Sequence, residues 1–229
     1  MSKLSIYRAI KTNKITQEFY DNKNDWYAQL GMKYHGGTDF ASYDGEGLYF
    51  DCSCVGYVLN TEIDANGGKG LNIITETDEG IFKHRYWHLK DWAVKAGDEV
   101  ESGTFLGWCD NTGLSTGPHL HRDIKEMIRT DSKLEIKHPN NGTYGTIDTK
   151  PYFCNVFILD VKDNLQTQLS ILQEIVRILN QLITKKKYDP EAMKKLIREI
   201  APQYGVDSEK AIAVAIRESS LNPNAIGKN

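Results

Sequence analysis

The sequence lacks the features that would assign it to a membrane or to nucleic acid. No apolar run approaches the length of about 18 residues from which a membrane-spanning helix is predicted. Its 28 Lys and Arg residues are fewer than its 31 Asp and Glu residues, which gives a net charge of -3. Because nucleic-acid binding favours a basic surface, this balance gives no support to a nucleic-acid partner. The hydrophobic content of 40% is typical of a globular protein with a buried core.

Cysteine is scarce and irregularly spaced. The spacing of the four residues matches neither a disulfide framework nor a zinc knuckle; they are Cys52, Cys54, Cys109 and Cys154. Cys52 and Cys54 are predicted to share a strand face, where a bridge forms poorly. We expect all four to be buried as small hydrophobic side chains.

The most informative stretch is residues 111–123, with the sequence NTGLSTGPHLHRD. A Gly-Pro turn signal stands just before His119 and His121. Since side chains alternate along a strand, the two histidines are predicted to project from one face at the start of a strand. Both histidines could bind one metal ion, or one could bind the metal while the other transfers protons beside it. Two solvent-facing strand histidines are the alternative.

Upstream segments offer partners for this pair. His35 and Asp39 lie four positions apart across a Gly-Gly pair, and His88 follows a run of strand-forming residues. A catalytic zinc site needs three nitrogen or oxygen ligands and one open position. His35, Asp39 and one of the later histidines supply that set.

These motifs resemble those of the lysostaphin-type (LytM-type) zinc metallopeptidases, which cut peptides of bacterial cell walls. The three blocks, in family order, are His-x-x-x-Asp at 35–39, Tyr-x-His-Leu at 86–89 and Gly-Pro-His-Leu-His at 117–121. The resemblance covers residues 14–123, approximately. Arg122 and Asp123 stand where an aromatic residue and an acid are usual, which we expect to affect substrate fit but not ligation.

The resemblance implies a zinc endopeptidase that hydrolyses peptide bonds of bacterial peptidoglycan, in a stem peptide or a cross-bridge. It assigns one zinc ion per chain to His35, Asp39 and His121. The bond cleaved stays open between glycine bridges and D-Ala–diaminopimelate links. We expect loops 60–70 and 110–118 to decide between them.

The resemblance also implies roles beside the metal. His88 and His119 would flank the bound water, one to orient or deprotonate it and the other to stabilise the intermediate or protonate the leaving amine. Tyr27 matches a tyrosine that helps to polarise the scissile carbonyl, with a wall-lining aromatic residue as the alternative. His84 is expected in a partly exposed groove or at the surface.

The bacterial cell wall is the expected place of action. The first eight residues, MSKLSIYR, contain neither the apolar segment nor the cleavage site of a signal peptide. We therefore expect a phage origin, with delivery on a phage tail or release by lysis.

Residues 1–158 are predicted to form a mainly β catalytic domain with an antiparallel, LytM-like sheet. Strand-forming residues separated by Gly, Asn and Asp turns recur at 48–59, 71–75, 81–88 and 104–109. His84, Tyr86 and His88 alternate within one of these strands, so we expect them to face the same way.

The remaining chain is predicted to be an α-helical extension. In the linker segment, residues 159–187, apolar residues recur at spacings of three and four from Leu165 to Ile183, which predicts a helix over 162–184. This stripe must be buried, either on the enzyme domain or by self-association. Residues 188–229 form the third predicted domain, with helices over about 190–202 and 208–219.

The last segment carries a second resemblance. Residues 190–229 resemble the start of a lytic transglycosylase (soluble-lysozyme-type) domain, in which Glu218 matches the catalytic general acid/base. Only the first two helices of such a domain are covered, so we expect Glu218 to act only in a longer parent chain. Transglycosylase activity and a catalytically inactive wall-binding module are thus the alternatives to the peptidase.

Overall fold

The structure is a computed structural model that describes residues 3–22, 26–29, 31–131, 133–184, 190–204 and 206–218. The chain divides into two compact units, Met1–Leu159 and Asp160–Asn229. The first is mostly antiparallel sheet and the second is helical, which confirms the predicted fold class. No helix among the described residues combines the length and the apolar character needed to cross a membrane.

Among its described residues, the first unit contains a short α-helix, α1 (Trp26–Gln29), a 3-10 helix (Lys150–Tyr152) and fourteen strands. The strands are β1 (Ile6–Arg8), β2 (Ile15–Gln17), β3 (Thr38–Ala41), β4 (Gly47–Tyr49), β5 (Gly56–Ile63), β6 (Lys69–Thr77), β7 (Gly80–Trp87), β8 (Leu89–Trp92), β9 (Glu99–Val100), β10 (Phe105–Cys109), β11 (His119–Arg129), β12 (Leu134–Ile136), β13 (Thr146–Ile147) and β14 (Phe153–Phe157).

A nine-stranded sheet forms the centre of this unit. Seven strands follow the order β2-β3-β11-β7-β6-β5-β9, and both β12 and β13 pair with β11. A three-stranded sheet has the order β4-β10-β8, and β1 pairs with β14 in parallel. The long strand β11 therefore has β3 on one side and β7 on the other.

Alternation along the central strands separates the core from the opposite face. Leu120 and Ile124 of β11 and Phe82 and Tyr86 of β7 are buried in the main hydrophobic core. His119 and His121 occupy alternate positions of β11, and alternate side chains of a strand point to opposite faces. The core therefore fixes which face carries the histidines.

The expected strand over residues 48–59 is wrong as a single element. The structure divides it into β4, which pairs with β10, and β5, which pairs with β6. The two pairings belong to different sheets, so a single straight strand cannot make both. Gly56 begins β5 at a crowded point, since a Cβ there would lie 2.6 Å from Ile73 Cγ2.

Only two of the four cysteines are buried as expected. Cys52 and Cys109 are buried, Cys54 is half-buried and Cys154 is exposed. Cys154 lies in β14, whose pairing with β1 leaves its central residues at the surface. The Sγ atoms of Cys52 and Cys54 are 3.1 Å apart, nearer than expected for residues that bridge poorly.

The second unit contains most of α2 (Ile158–Thr184), together with α3 (Pro190–Ile200), a 3-10 helix (Ala201–Tyr204) and α4 (Ser208–Glu218). Asp207 caps α4, because its Oδ1 accepts a hydrogen bond from the Lys210 backbone N–H at 2.8 Å. A small core joins the helices; its buried members are Val176, Ile197, Ala201, Val206, Ala211, Ile212 and Ala215.

The apolar stripe of α2 is buried only in part. Val176 is buried, and Leu172 and Ile175 pack against the same core. Leu165 and Leu169, nearer the start of the helix, are 60% and 43% exposed. The side chains of the stripe beyond residue 177 lie outside those described. Self-association through this helix, and the assignment of the helices to separate domains, remain predictions.

Candidate metal centre

The pairing of β3 with β11 builds the centre of the site. Asp39 in β3 lies directly opposite His121 in β11. Asp39 Oδ1 is 2.8 Å from His121 Nδ1 and 3.2 Å from His35 Nε2, and the two ring nitrogens are 3.0 Å apart. One ligand atom from each of the three residues lies within 4.8 Å of the others. The structure thus brings together the three residues predicted to bind the metal.

Partners outside the cluster orient its imidazoles, through a hydrogen bond at His35 and an ion-pair contact at His121. His35 Nδ1 donates to the carbonyl oxygen of Glu18 at 3.0 Å, which leaves the Nε2 lone pair directed at the cluster. His121 Nε2 lies 3.3 Å from Asp123 Oδ2, so its Nδ1 faces the cluster instead. Metal-binding histidines usually have such a carbonyl or carboxylate partner on the second nitrogen. The donor set therefore fits a zinc ion.

The electrostatics of the cluster favour a cation. Burial would raise the pKa of Asp39, but the neighbouring imidazoles of His121 and His35 hold that pKa well below its usual range. Burial would lower the pKa of His121, but the carboxylates of Asp123 and Asp39 outweigh it and raise the pKa to about 9. Without a metal, a proton on His121 balances the carboxylates, and a bound metal would replace that proton.

The close approach of these strands needs a glycine beside the cluster. A Cβ on Gly37 would lie 2.8 Å from both the His121 ring and the carbonyl oxygen of Arg122. Any other residue would therefore displace His121.

His88 and His119 face each other beside the cluster, with ring centroids 4.4 Å apart. His88 Nδ1 donates to the carbonyl oxygen of Thr112 at 2.7 Å, and His119 Nδ1 donates to that of Gly117 at 2.9 Å. Each Nε2 is left as the acceptor nitrogen, and that of His119 is 3.7 Å from Asp39 Oδ2. Burial lowers the pKa of His88 to about 4. His88 is therefore neutral near pH 7.

The expectation that His84, Tyr86 and His88 share a face is wrong. His84 and Tyr86 are both fully buried on the core side of the sheet, so the groove or surface position expected for His84 is wrong as well. His88 follows the end of β7 and has φ 65°, a left-handed conformation that breaks the alternation. Its side chain consequently meets His119 instead of the core.

Tyr27 lies at the edge of the same cluster. It is buried in α1, and its ring centroid is 5.5 Å from that of His35. Burial, and then the charge of Asp39, raise the pKa of Tyr27 to about 12. The hydroxyl is therefore protonated at neutral pH, and its role in the reaction remains a prediction. Glu218 ends α4, and its side chain lies outside those described.

Comparison with known proteins points to the same segment. Residues 33–133 match the family described as Peptidase family M23, which contains metallopeptidases. This segment is therefore similar to M23 peptidase domains. It includes His35, Asp39, His88, His119 and His121, the five polar residues of the cluster and its flank.

Curated relatives resemble part of the chain. The glycyl-glycine endopeptidase ALE-1 of Staphylococcus capitis is 43% identical over 88 residues, or 37% of this chain and 24% of that protein. The peptidoglycan DD-endopeptidase ShyA of Vibrio cholerae serotype O1 is 37% identical over 105 residues, or 46% of this chain and 23% of that protein. The chain thus spans about a quarter of the length of these relatives.

A similar solved structure is the catalytic domain of lysostaphin from Staphylococcus simulans. It is 24% identical to this chain, with a TM-score of 0.40, and the match covers 55% of this chain and 90% of that domain.

A pocket of about 400 Å³ opens over the cluster. Asp64 and Asn66 of the β5–β6 turn and residues 114–116 line it, so both loops expected to influence specificity contribute to its wall. A third segment, residues 143–146, also lines the pocket, and sequence reasoning missed it. Nothing in that stretch, which reads TYGT, marked it as part of a site.

Arg122 does not face this pocket, contrary to the expectation that it affects substrate fit. It is buried on the core side of β11, where Nε and Nη2 donate to Asp51 at 2.9 and 3.0 Å. Its guanidinium also lies over the Tyr86 ring and donates to His84 Nδ1 at 2.7 Å.

Asp123 is a further site residue; sequence reasoning gave it an effect on substrate fit but did not place it beside a metal ligand. It is 1% exposed and lies on the His121 side of β11, and its pKa is lowered to about 2 because nearby cations outweigh the effect of burial. Strand alternation from His121 would have placed it beside the ligand.

Proposed function

We propose that this chain is a zinc-dependent endopeptidase that hydrolyses peptide bonds of bacterial peptidoglycan and acts on the cell wall. The observation that carries the proposal is the convergence of His35, Asp39 and His121 next to two histidines whose Nε2 atoms are acceptors. The names of the relatives, a glycyl-glycine endopeptidase and a peptidoglycan DD-endopeptidase, support this class of substrate.

Zinc fits the donor set, with His35 Nε2, Asp39 and His121 Nδ1 as ligands. When bound, a zinc ion lowers the pKa of a coordinated water to about 7 and polarises a carbonyl oxygen. Asp123 holds the His121 ring in place from the opposite nitrogen. The Glu18 carbonyl does the same for His35.

The flanking histidines divide the proton transfers. His88 Nε2 is neutral near pH 7, so it accepts a hydrogen bond from the attacking water and orients it. The Thr112 carbonyl stabilises positive charge on His88 as it takes the proton. His119 lies across the 4.4 Å ring contact; it takes up this proton at Nε2, stabilises charge on the substrate as an imidazolium and then protonates the leaving amine. The protonated Tyr27 hydroxyl donates to the scissile carbonyl oxygen.

The test separates metal binding from turnover. We expect one zinc per chain in the wild type, measured by elemental analysis, and new amines among fragments released from purified walls, identified by mass spectrometry. His121→Ala should lose both zinc and activity. His119→Ala should keep zinc and lose turnover by a factor of about 10²–10⁴, the usual contribution of a general acid or base.

The matched control is His138→Ala, because His138 is 55% exposed at its side chain and lies in a loop outside the pocket. It should retain both zinc and activity. Equal zinc loss in His119→Ala and His121→Ala would contradict the division of roles. Release of fragments without new amines would contradict the endopeptidase.

Glycan cleavage through Glu218 is the second candidate, motivated by the resemblance of residues 190–229, and would belong to a longer parent chain. Glu218→Gln should leave wall lysis by this chain unchanged, whereas anhydro-sugar products that disappear in this variant would support a transglycosylase. A wall-binding module without catalysis would bind walls without releasing amines. Phage origin and delivery on a tail or by lysis remain predictions.

A further inference from the structure

Arg85 lines the pocket and is separated from the cluster of His35, Asp39 and His121 by one residue, Asp123. It lies opposite Asp123 in the pairing of β7 with β11. Its Nη1 is 3.4 Å from Asp123 Oδ2, and the same oxygen is 3.3 Å from His121 Nε2. A group bound by Arg85 would therefore lie beside the metal cluster.

The guanidinium of Arg85 has unused hydrogen-bonding capacity. Its Nε–H is buried without a hydrogen-bond partner in the part of the chain that the structure describes. Its approach to Asp123 is longer than a charge-assisted hydrogen bond, which measures about 2.7–2.9 Å. A guanidinium carries five N–H donors, so most of them stay available to a ligand.

Neighbouring residues contact this guanidinium. It lies over the Trp87 ring, with 5.1 Å between the guanidinium carbon and the ring centroid. Stacking covers the flat face of an arginine and leaves its N–H groups, which point outward in the plane, free to bind a planar acceptor in bidentate fashion. Asp123 contacts the guanidinium at Nη1 and so holds one side of it.

The lining of the pocket also contains the carboxylates of Asp39, Asp64 and Asp123, and Arg85 is the only Lys or Arg among the described residues that line it. An anionic ligand would therefore meet a cation at Arg85. Two positions along the same strand pair, Lys83 pairs with Lys125, which adds positive charge nearby. Glu62, the nearby acid of β5, is engaged by Asn72 Nδ2 at 2.8 Å.

We propose that Arg85 binds a carboxylate of the peptide substrate next to the scissile bond. The proposal rests on the proposed peptidase function and narrows its substrate class. A cross-link to a diamino acid such as diaminopimelate carries a free carboxylate beside the amide, whereas a glycine bridge has none along its length. The preferred substrate is therefore a stem-peptide cross-link that bears this carboxylate.

Two synthetic cross-linked peptides test the proposal. Both contain the D-Ala–diaminopimelate amide, and they differ only in whether the diaminopimelate carboxyl beside that amide is free or converted to a carboxamide. The wild type should cleave the free-carboxylate peptide with a kcat/KM at least about tenfold higher, the scale of one charge-assisted hydrogen bond. Arg85→Gln should bring the ratio to about one. Arg85→Lys should give an intermediate ratio, since lysine keeps the positive charge but cannot form two parallel hydrogen bonds to the carboxylate.

The matched control is Arg129→Gln. Arg129 belongs to the same strand pair but is 62% exposed at its side chain and pairs with Glu76 at the surface. This variant should keep the wild-type ratio. The zinc content of every variant is measured, so that loss of metal is not mistaken for loss of the subsite.

Binding to the metal-free protein supplies a readout that does not depend on cleavage. In titration calorimetry the free-carboxylate peptide should bind the wild type about tenfold more tightly than the carboxamide, and Arg85→Gln should bind both equally. Equal affinity of the wild type for the two peptides, or an equal loss for both in Arg85→Gln, would overturn the proposal. If the wild type cleaves both peptides equally, the subsite fails and the peptidase stands. If it discriminates in binding but cleaves neither peptide nor any wall, the peptidase fails and the subsite stands.

Discussion

His88 reaches the site through a backbone conformation that few histidines adopt. Its φ of 65° lies in the left-handed region, where a non-glycine residue costs about 1–3 kcal/mol. The conformation ends the alternation of β7 and turns the imidazole toward His119. The motif identified His88 from the sequence, but the periodicity of the strand predicted the wrong face for it. A single left-handed residue at a strand end leaves no mark in hydrophobic periodicity.

The buried polar group behind the site was equally hidden from the sequence. Arg122, Asp51 and His84 are all nearly inaccessible and bond to one another. A charged residue in a strand is normally predicted to face solvent, because burying a charge is favourable only when partners satisfy it. Those partners lie 71 and 38 positions away in the chain, so only the fold reveals them.

We expect this buried group to make stability pH-dependent through His84. Burial, and then the charge of Arg122, hold the pKa of His84 well below its ordinary value. The unfolded chain takes up a proton near pH 6.5 while the folded chain does not, so stability is full above that pH and falls as the pH decreases. At pH 5 the expected loss is about 2 kcal/mol. Chemical denaturation of metal-free protein at pH 7.5 and pH 5 measures it.

The comparison variant is His84→Gln, which cannot titrate and can still bond to Thr75 and Arg122. It should lose about 2 kcal/mol less than the wild type between the two pH values, whatever its absolute stability. Parallel losses in the two proteins would contradict a neutral buried His84.

At the scale of elements, most of the correct predictions from the sequence concern strand β11. His119 and His121 occupy alternate positions at its start, and its register beside β3 sets His121 against Asp39. Alternation and turn signals are local, so they could be read from residues 117–121. The division of residues 48–59 into β4, which pairs with β10, and β5, which pairs with β6, could not be read from the sequence. Strand pairing depends on residues far apart in the chain.

The helix α2 was predicted well in extent but not in burial. Its apolar stripe recurs evenly, yet only the part around Val176 meets the helical core. Spacing predicts which residues share a face, and tertiary packing decides how much of that face is covered.

We therefore expect substitutions along α2 to differ in effect. Val176→Asp should unfold the helical core, because burying an unpaired carboxylate costs several kcal/mol. Leu165→Asp, at a side chain that is 60% exposed, should leave the helix signal in circular dichroism unchanged. If the exposed leucines join two copies of the chain, Leu165→Asp with Leu169→Asp should lower the mass measured by light scattering. An unchanged mass would contradict self-association through this stripe.

At the scale of the whole molecule, two buried cores divide the chain. Every member of the larger core lies between Leu4 and Phe153, and every member of the smaller core lies between Leu172 and Ile216. The metal cluster and the flanking histidines belong to the first unit. The family match, at residues 33–133, lies in that unit as well.

The last prediction follows from this division. Zinc bound only to the folded first unit should stabilise that unit by about 4 kcal/mol at a thousandfold excess over its Kd. For a unit of 159 residues this corresponds to a rise in Tm of about 8–16 °C. All four tryptophans lie in the first unit, so their fluorescence reports its unfolding, while circular dichroism at 222 nm follows the helices. The fluorescence transition should rise with zinc in the wild type and stay fixed in His121→Ala, and the helical transition should stay fixed in both. A helical transition that rose by the same amount would show that the two units unfold together, and a zinc-dependent rise in His121→Ala would place the metal elsewhere.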